Sequence, residues 1–338
     1  MTSSKQGSTV GQDDFDALLE PAPGAASAAA TPAPPAHPEH PLSGHAQHPP
    51  LGTELQAAPS WDEFVAGWPL YRDPVACAVI AGAALGAMGV FVVLRRAVFV
   101  TATLSQAAGL GVALAFYLQI HHGLPLSPVL GALAMSVLAT LLVGARPHGQ
   151  MSRETLVGAA FVTTSALAVL IGDRIAQEAH DISAVLFGTA VLVRPLDLWL
   201  VSAGSALALG LLYALGRALT FSGFDPEGAR VQGLPVRRVE LAFWLVFALL
   251  VSVSTRALGA LPVFALAVLP AAAAVAVGQR LGFVLALATL GGAASGGAGY
   301  LFAFFGELPV GASQATCAAL FALLVYAAAQ ARRGVPKR

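Results

Sequence analysis

Long runs without Asp, Glu, Lys or Arg dominate the chain after residue 73. They cover residues 74–94, 97–145, 155–172, 198–216, 241–255, 257–279, 281–306 and 308–331. The second run is too long for one helix and is interrupted by Gly123, Pro125 and Pro128. Because a bilayer core of about 30 Å needs roughly 20 apolar residues per helix, the pattern predicts nine transmembrane helices. An eight-helix arrangement with a re-entrant first segment is the alternative. Both describe an all-α, polytopic integral membrane protein.

The basic residues between these runs predict the orientation in a cell membrane, plasma or inner. If the first helix runs inward, thirteen basic residues lie on the cytoplasmic side and five on the other. Cytoplasmic loops carry the excess of Lys and Arg, so this orientation is favoured and the C-terminus is expected inside. The thirteen are Arg95, Arg96, Arg146, Arg153, Arg217, Arg230, Arg237, Arg238, Arg280, Arg332, Arg333, Lys337 and Arg338.

Residues 1–73 differ in composition from the rest of the chain. They contain 11 of the 22 prolines and carry a net charge of −7, with few branched aliphatic residues. Such a segment buries too little apolar surface to offset its ordering entropy, so we expect a disordered tail before a transmembrane domain at 74–333. Its histidines, His37, His40, His45 and His48, suit a loose metal-collecting tail or a low-complexity tract without a site.

Four aromatic residues recur at spacings of three and four near the end of this region. They are Trp61, Phe64, Trp68 and Tyr71. Aromatic rings with polar edges settle at the membrane–water interface, so residues 61–71 are predicted to form a short interfacial segment.

Composition excludes several function classes. The chain is 57% hydrophobic, only 11% charged and has zero net charge, which removes any case for nucleic-acid binding. Its two cysteines, Cys77 and Cys317, are expected to be small packing residues. Neither a phosphate-binding loop nor an H-E-x-x-H zinc motif is present, so we expect no catalytic role and no bound cofactor. If the function requires ATP hydrolysis, it must then come from a partner.

The longest polar insertion between the apolar runs is residues 223–238. Asp225 is suited to be an N-cap, Pro226 the first helical residue, Glu227 a first-turn acid and Gly233 the stop. The sequence therefore predicts a helix of about two turns outside the membrane. Good caps on a helix that buries nothing in its own chain favour docking to another protein, although a plain connecting loop is the alternative.

Small residues and prolines mark the later spans. Residues 291–299 contain only Gly, Ala and Ser, which predicts a helix-packing face. Pro262 and Pro270 fall in one span, where each removes a backbone donor, so we expect a broken or kinked helix there.

Several segments, in order, give residues 74–330 a resemblance to a known family, the integral membrane permeases of zinc and manganese ABC importers. The segments are residues 89–96, 109–116, Leu186, Phe187 and Gly188 with Asp197 and Leu198, then Phe224, Asp225, Pro226, Ala229, Gly233 and Pro235, then Gly259 with Pro270, Ala271 and Ala272, and finally Glu307, Pro309, Gly311 and Ala312.

This resemblance implies a homodimeric permease that binds a cytoplasmic ATP-binding subunit and receives metal from an extracytoplasmic metal-binding protein. ATP would be bound by the partner subunit. The coupling residues would be Phe224, Asp225, Pro226, Glu227, Ala229, Arg230 and Gly233.

One departure from the family pattern concerns the head of the second helix. The family writes D-x-L-S-H-A there, whereas this chain has Ala102, Leu104, Ser105 and Gln106 at the matching positions. Ala102, Ser105, Gln106 and Pro270 are therefore expected on the translocation path, without the charged pair that would hold a divalent ion. Candidate outer ligands are His121, His122, Glu178, His180, Asp181 and Glu307, each of which is alternatively an ordinary loop residue.

Two other functions remain open from sequence. A stand-alone secondary carrier is disfavoured because no acidic residue lies near the middle of a span. A divergent homologue with a changed or lost substrate is compatible with Ala102 and Gln106.

Overall fold

The computed structural model describes residues 59–144, 152–176, 193–278 and 280–334, and within these ranges the regular elements are all helices. They are α1 (Trp61–Ala66), α2 (Trp68–Leu94), α3 (Val98–His122), α4 (Pro128–Gly144), α5 (Arg153–Ala176), α6 (Pro195–Phe224), α7 (Pro226–Val231), α8 (Val236–Leu258), α9 (Ala260–Val277), α10 (Leu281–Gly306) and α11 (Val310–Gly334). Of the tail expected to be disordered, residues 1–58 lie outside the described residues. The expectation is wrong for the rest of it, because Trp61–Ala66 and the residues from Trp68 onward are helical.

Nine of these helices match the nine predicted spans. Eight are long and apolar enough to cross a bilayer, and α4 is a shorter apolar helix of 17 residues. The prediction of an all-α membrane protein with eight to nine spans is confirmed.

Contacts near the start and the end of α2 identify the two ends of the helical bundle. At the start of α2, Tyr71 and the preceding Phe64 of α1 pack edge-on against Phe304 at the end of α10. The ring centroids of Phe64 and Tyr71 lie 5.0 and 5.1 Å from that of Phe304. At the end of α2, the Arg95 guanidinium donates to the Leu219 carbonyl of α6 at 3.0 Å. The helix α7 follows α6 directly, so we call this end of the bundle the α7 end and the other the far end.

Helices α2, α3, α8 and α9 form the centre of the bundle. Most residues of α2, α3 and α8 are buried, and Phe91, Phe243 and Phe247 fill the core near the α7 end. By contrast, α5, α6 and α11 keep most of their apolar side chains exposed. Such faces suit lipid or a second subunit.

The predicted packing face of residues 291–299 is found in α10, which packs along α2. Gly292 and Gly82 approach so closely that a Cβ on either would collide with the backbone carbonyl of the other. Small residues here let two helix backbones touch.

The structure changes two helix boundaries that the sequence suggests. The first span begins at Trp68, six residues ahead of the uncharged run 74–94, and Pro74 at the start of that run lies inside the helix. Pro262 does not break a helix, because α9 begins at Ala260 and a proline is tolerated in the first turn. The interruption lies instead at Gly259, whose φ of +97° separates α8 from α9.

The aromatic residues within the segment 61–71 form a cluster with the end of α10. Phe64 is buried among Trp61, Trp68, Tyr71 and Phe304. Ser60 and Glu63 cap α1 reciprocally through their side chains and backbone amides. The placement of this segment at the membrane interface stays a prediction.

Candidate coupling helix and translocation site

The helix predicted for the coupling segment is present as α7, with the predicted caps. The Asp225 carboxylate accepts a hydrogen bond of 2.8 Å from the Gly228 amide, and Pro226 is the first helical residue. Gly233 has a φ of +81°, and the Leu234 amide behind it donates to the Ala229 carbonyl at 3.0 Å. Glycine adopts this left-handed conformation without strain, so the chain turns sharply out of the helix.

The expectation that α7 buries nothing within its own chain is wrong for one residue. Ala229 is fully buried, and α7 packs against α6 and α8. The opposite face is open: Val231 is 89% exposed, and Glu227 and Arg230 are exposed beside it. Phe224, the last residue of α6, is also 71% exposed. A short helix is thus fixed by its inner face while its outer face presents apolar and charged groups together.

Arg95 fixes the end of α6 from which α7 continues. Its guanidinium donates to the Phe91 and Leu219 carbonyls and lies over the Phe243 ring at 4.9 Å. Burial lowers the pKa of Arg95 and nearby Glu240 opposes that shift, so the group remains a cation at neutral pH. One side chain therefore connects α2, α6 and α8 immediately behind the coupling helix.

The head of α3 is packed into the protein. Ala102 is almost buried, and Ser105 is buried with its hydroxyl donating to the Ala102 carbonyl at 3.0 Å. The hydroxyls of Thr103 and Ser136 join this turn to α5 and α4 by donating to the Val157 and Leu104 carbonyls. These bonds fix the backbone of the turn but supply no charge.

Gln106 is the half-buried polar residue of this turn, and Gly109 one turn later has open space beside it. Pro270 lies inside the neighbouring helix α9, which packs against α3. The predicted path residues Ala102, Ser105, Gln106 and Pro270 are thus on adjacent helices, and whether an ion passes them stays a prediction.

The candidate metal ligands do not form a cluster in the described part of the chain. His121 and His122 are exposed at the far end of α3, where His121 stacks on Tyr117, and Glu307 is exposed at the C-cap of α10. No group of three or more His, Cys, Asp or Glu side chains suited to a metal occurs among the described residues. Glu178, His180 and Asp181 lie outside the described residues.

Sequence reasoning missed a nearly buried ion pair near the far end. Arg256 Nη1 lies 3.0 Å from Asp197 Oδ1, and the two side chains are only 13% and 11% exposed. Asp197 stands in the first turn of α6 and Arg256 in the last turn of α8, so each charge also matches its helix dipole. The signal available from sequence was a single acid and a single base at the edges of two apolar runs, which fixes no pairing.

The fold and these features agree with comparison to known proteins. The sequence model of the ABC 3 transport family matches residues 69–329. This chain belongs to the ABC 3 transport family. It is an integral, multi-pass membrane protein and the membrane-spanning component of an ABC transporter.

Relatives within this family carry names that describe metal transport. The chain is 26% identical over 257 residues to the manganese transport system membrane protein MntC of Halalkalibacterium halodurans, covering 75% of this chain and 86% of that protein. It is 29% identical over 188 residues to the high-affinity zinc uptake system membrane protein ZnuB of Haemophilus influenzae, covering 55% and 70% respectively. Both relatives are distant in sequence, and each match extends over most of the relative's own length.

A solved structure shares the fold. PsaBC from Streptococcus pneumoniae, determined in complex with Fab, superposes with a TM-score of 0.70 at 23% identity, and the match covers 81% of this chain and 98% of that one. The helical bundle described above is therefore a fold that this chain shares with that solved structure.

Proposed function

We propose that this chain is the permease subunit of an importer that moves a divalent metal ion, zinc or manganese, with energy from ATP hydrolysed by a separate subunit. Membership of the ABC 3 transport family supports the transporter role. The names of relatives that move manganese and zinc support the cargo.

The observation that carries this proposal is the geometry of α7. Its outer face exposes Glu227, Arg230 and Val231, and Phe224 is exposed immediately before it at the end of α6. Ala229 holds the inner face of α7 against the bundle. An exposed aromatic side chain beside charged groups is typical of a docking site for another protein. The cytoplasmic ATP-binding subunit binds here, and its movement passes through α7 to the spans.

The remaining partners follow from the same role. A homodimer of permeases places two copies of α7 against two ATP-binding subunits, and the exposed faces of α5 and α11 are available for contact with a second copy. An extracytoplasmic metal-binding protein docks at the far end, where His121, His122 and Glu307 are exposed. The chain itself holds no ATP, because it has no phosphate-binding loop.

The proposal is tested by changing the outer face of α7 in the full permease, copurified with its ATP-binding subunit and supplied with its binding protein. Phe224→Ala, and Glu227→Ala with Arg230→Ala, should lower ATPase copurification and metal-stimulated hydrolysis about tenfold, the effect of losing one interface anchor. Phe99→Ala is the matched control, because Phe99 is also 71% exposed at the same end of the bundle. Wild-type copurification and coupled uptake in both α7 variants would contradict the role of α7.

A changed substrate is the second candidate, and the neutral turn of Ala102 and Gln106 favours it. Without a carboxylate or imidazole there, little offsets the cost of dehydrating a divalent ion. Ala102→Asp with Gln106→His should change zinc and manganese uptake into vesicles more than either single change, since residues on adjacent turns act as a unit. If the wild-type protein takes up metal rapidly and the double substitution has no effect, this turn is not part of the ion path. Uptake gained only in the double variant would instead establish a changed substrate.

A further inference from the structure

An open groove of about 620 Å³ lies beside the α7 end of the bundle, between the last turns of α6 and the start of α10. Leu212, Tyr213, Phe221 and Leu281 form its apolar walls. Tyr213 is 95% exposed, so the groove opens to the surroundings of the bundle. Gly216 forms part of its floor, with open space where a side chain would stand.

Among the described residues that line this groove, Arg217 is the charged one. Its side chain is exposed, and no carboxylate in the described part of the chain forms an ion pair with it. Arg280, also exposed, immediately precedes the groove residue Leu281. The groove thus combines apolar walls with uncompensated positive charge.

The position of Arg217 along α6 places it at the inner surface of the hydrocarbon layer. The uncharged run 198–216 immediately before it rises about 29 Å, close to the bilayer core of about 30 Å. The groove begins at Leu212 inside this run and continues beyond Arg217 to Phe224, where it meets the proposed docking surface of α7. It therefore crosses the boundary between acyl chains and lipid headgroups.

We propose that this groove binds an anionic phospholipid, with an acyl chain along Leu212, Tyr213 and Leu281 and the phosphate on Arg217. Cytoplasmic leaflets are rich in anionic lipids, and basic pockets between transmembrane helices on that side bind their headgroups. A soluble protein partner fits less well, because the groove extends past Arg217 into the uncharged, membrane-spanning part of α6. This site is separate from the proposed ion path and independent of the ion carried.

The test is native mass spectrometry of the full-length permease, titrated with phosphatidylglycerol or phosphatidylcholine. We expect saturable binding of phosphatidylglycerol and at least tenfold weaker binding of phosphatidylcholine. Arg217→Gln should weaken phosphatidylglycerol binding about tenfold, the loss expected for one charge-assisted hydrogen bond. Arg96→Gln is the matched control, because Arg96 is exposed at the same end but does not line the groove.

A second pair of variants tests the groove itself. Gly216→Phe should fill it and abolish phosphatidylglycerol binding, whereas Gly210→Phe places the same ring in open space on the same helix, outside the groove. Equal binding of both lipids, or wild-type affinity in Arg217→Gln and Gly216→Phe, would overturn the proposal. So would a photo-crosslinking group at Tyr213 that captures the ATP-binding subunit instead of lipid.

Discussion

Helices α10 and α6 both carry several glycines and both pack against α2, yet two glycines in each helix have opposite surroundings. In α10, Gly292 meets the Gly82 backbone, and Gly296 meets that of Ala78. In α6, Gly210 and Gly216 have nothing beside the position of a Cβ. A glycine-rich helix is therefore a packing helix only where a second backbone approaches it.

The same contrast separates the fixed part of the molecule from the part open to partners. Contacts between α2 and α10 are backbone against backbone and leave no room for adjustment. By contrast, the exposed side of α6 leads to α7 and to the proposed lipid groove, and an added side chain there would have open space beside it. The same substitution of a glycine should therefore have very different effects on stability in α10 and in α6.

The largest expected effect is that of Gly292→Leu. A side chain here collides with the Gly82 carbonyl, so α2 and α10 must separate along the length of their contact. We expect a loss of about 3 kcal/mol or more and little folded protein in detergent. Size-exclusion chromatography and thermal unfolding measure this, with Gly210→Leu as the control that should remain folded. Equal stability of the two variants would refute the contrast between α10 and α6.

A smaller but still large effect is expected on breaking the ion pair between α6 and α8. Arg256→Met leaves the Asp197 carboxylate nearly buried without its partner, which should cost about 3 kcal/mol of unfolding free energy. Removing both charges, as Asp197→Leu with Arg256→Met, should recover most of that loss. Thermal unfolding of the three proteins is the measurement, and a double variant no more stable than Arg256→Met would contradict the pairing.

The smallest effect on stability is expected at the cap of α7. Asp225→Ala removes the acceptor for the Gly228 amide and should destabilise α7 locally by about 1 kcal/mol, without shifting the unfolding of the bundle. Amide hydrogen exchange of residues 227–231 should accelerate, and Asp225→Ser should restore protection because serine also caps helices. Accelerated exchange throughout α6 would show instead that the cap stabilises more than α7.

The sequence predicts the spans and α7 well because both depend on local information. Apolar run length determines a transmembrane helix, and the cap of α7 depends on Asp225, Pro226 and Gly233 within a few residues of one another. The start of α2 was predicted too late because a charge count ends the span at Asp73, whereas the aromatic contacts with α10 extend the helix to Trp68.

Features that depend on distant residues were not predictable in this way. The pairing of Asp197 with Arg256 joins two helices about 60 positions apart, and hydropathy contains no information about partners. The burial of Ala229 likewise depends on how α6 and α8 converge. For the ion path, sequence identified the unusual turn at Ala102 and Gln106, while its tight packing against α4 and α5 emerged only from the structure.

The length of α6 has a mechanical consequence. With 30 residues it forms a rod of about 45 Å, and one residue, Asp225, connects it to α7. A tilt of about 5° around its far end displaces the α7 end by about 4 Å over such a length. The far end of this lever is attached to α8 by Asp197 and Arg256, next to the break at Gly259. A small rotation about the far end would move the α7 end by several ångströms, and α2 would have to follow, because Arg95 joins the two helices there.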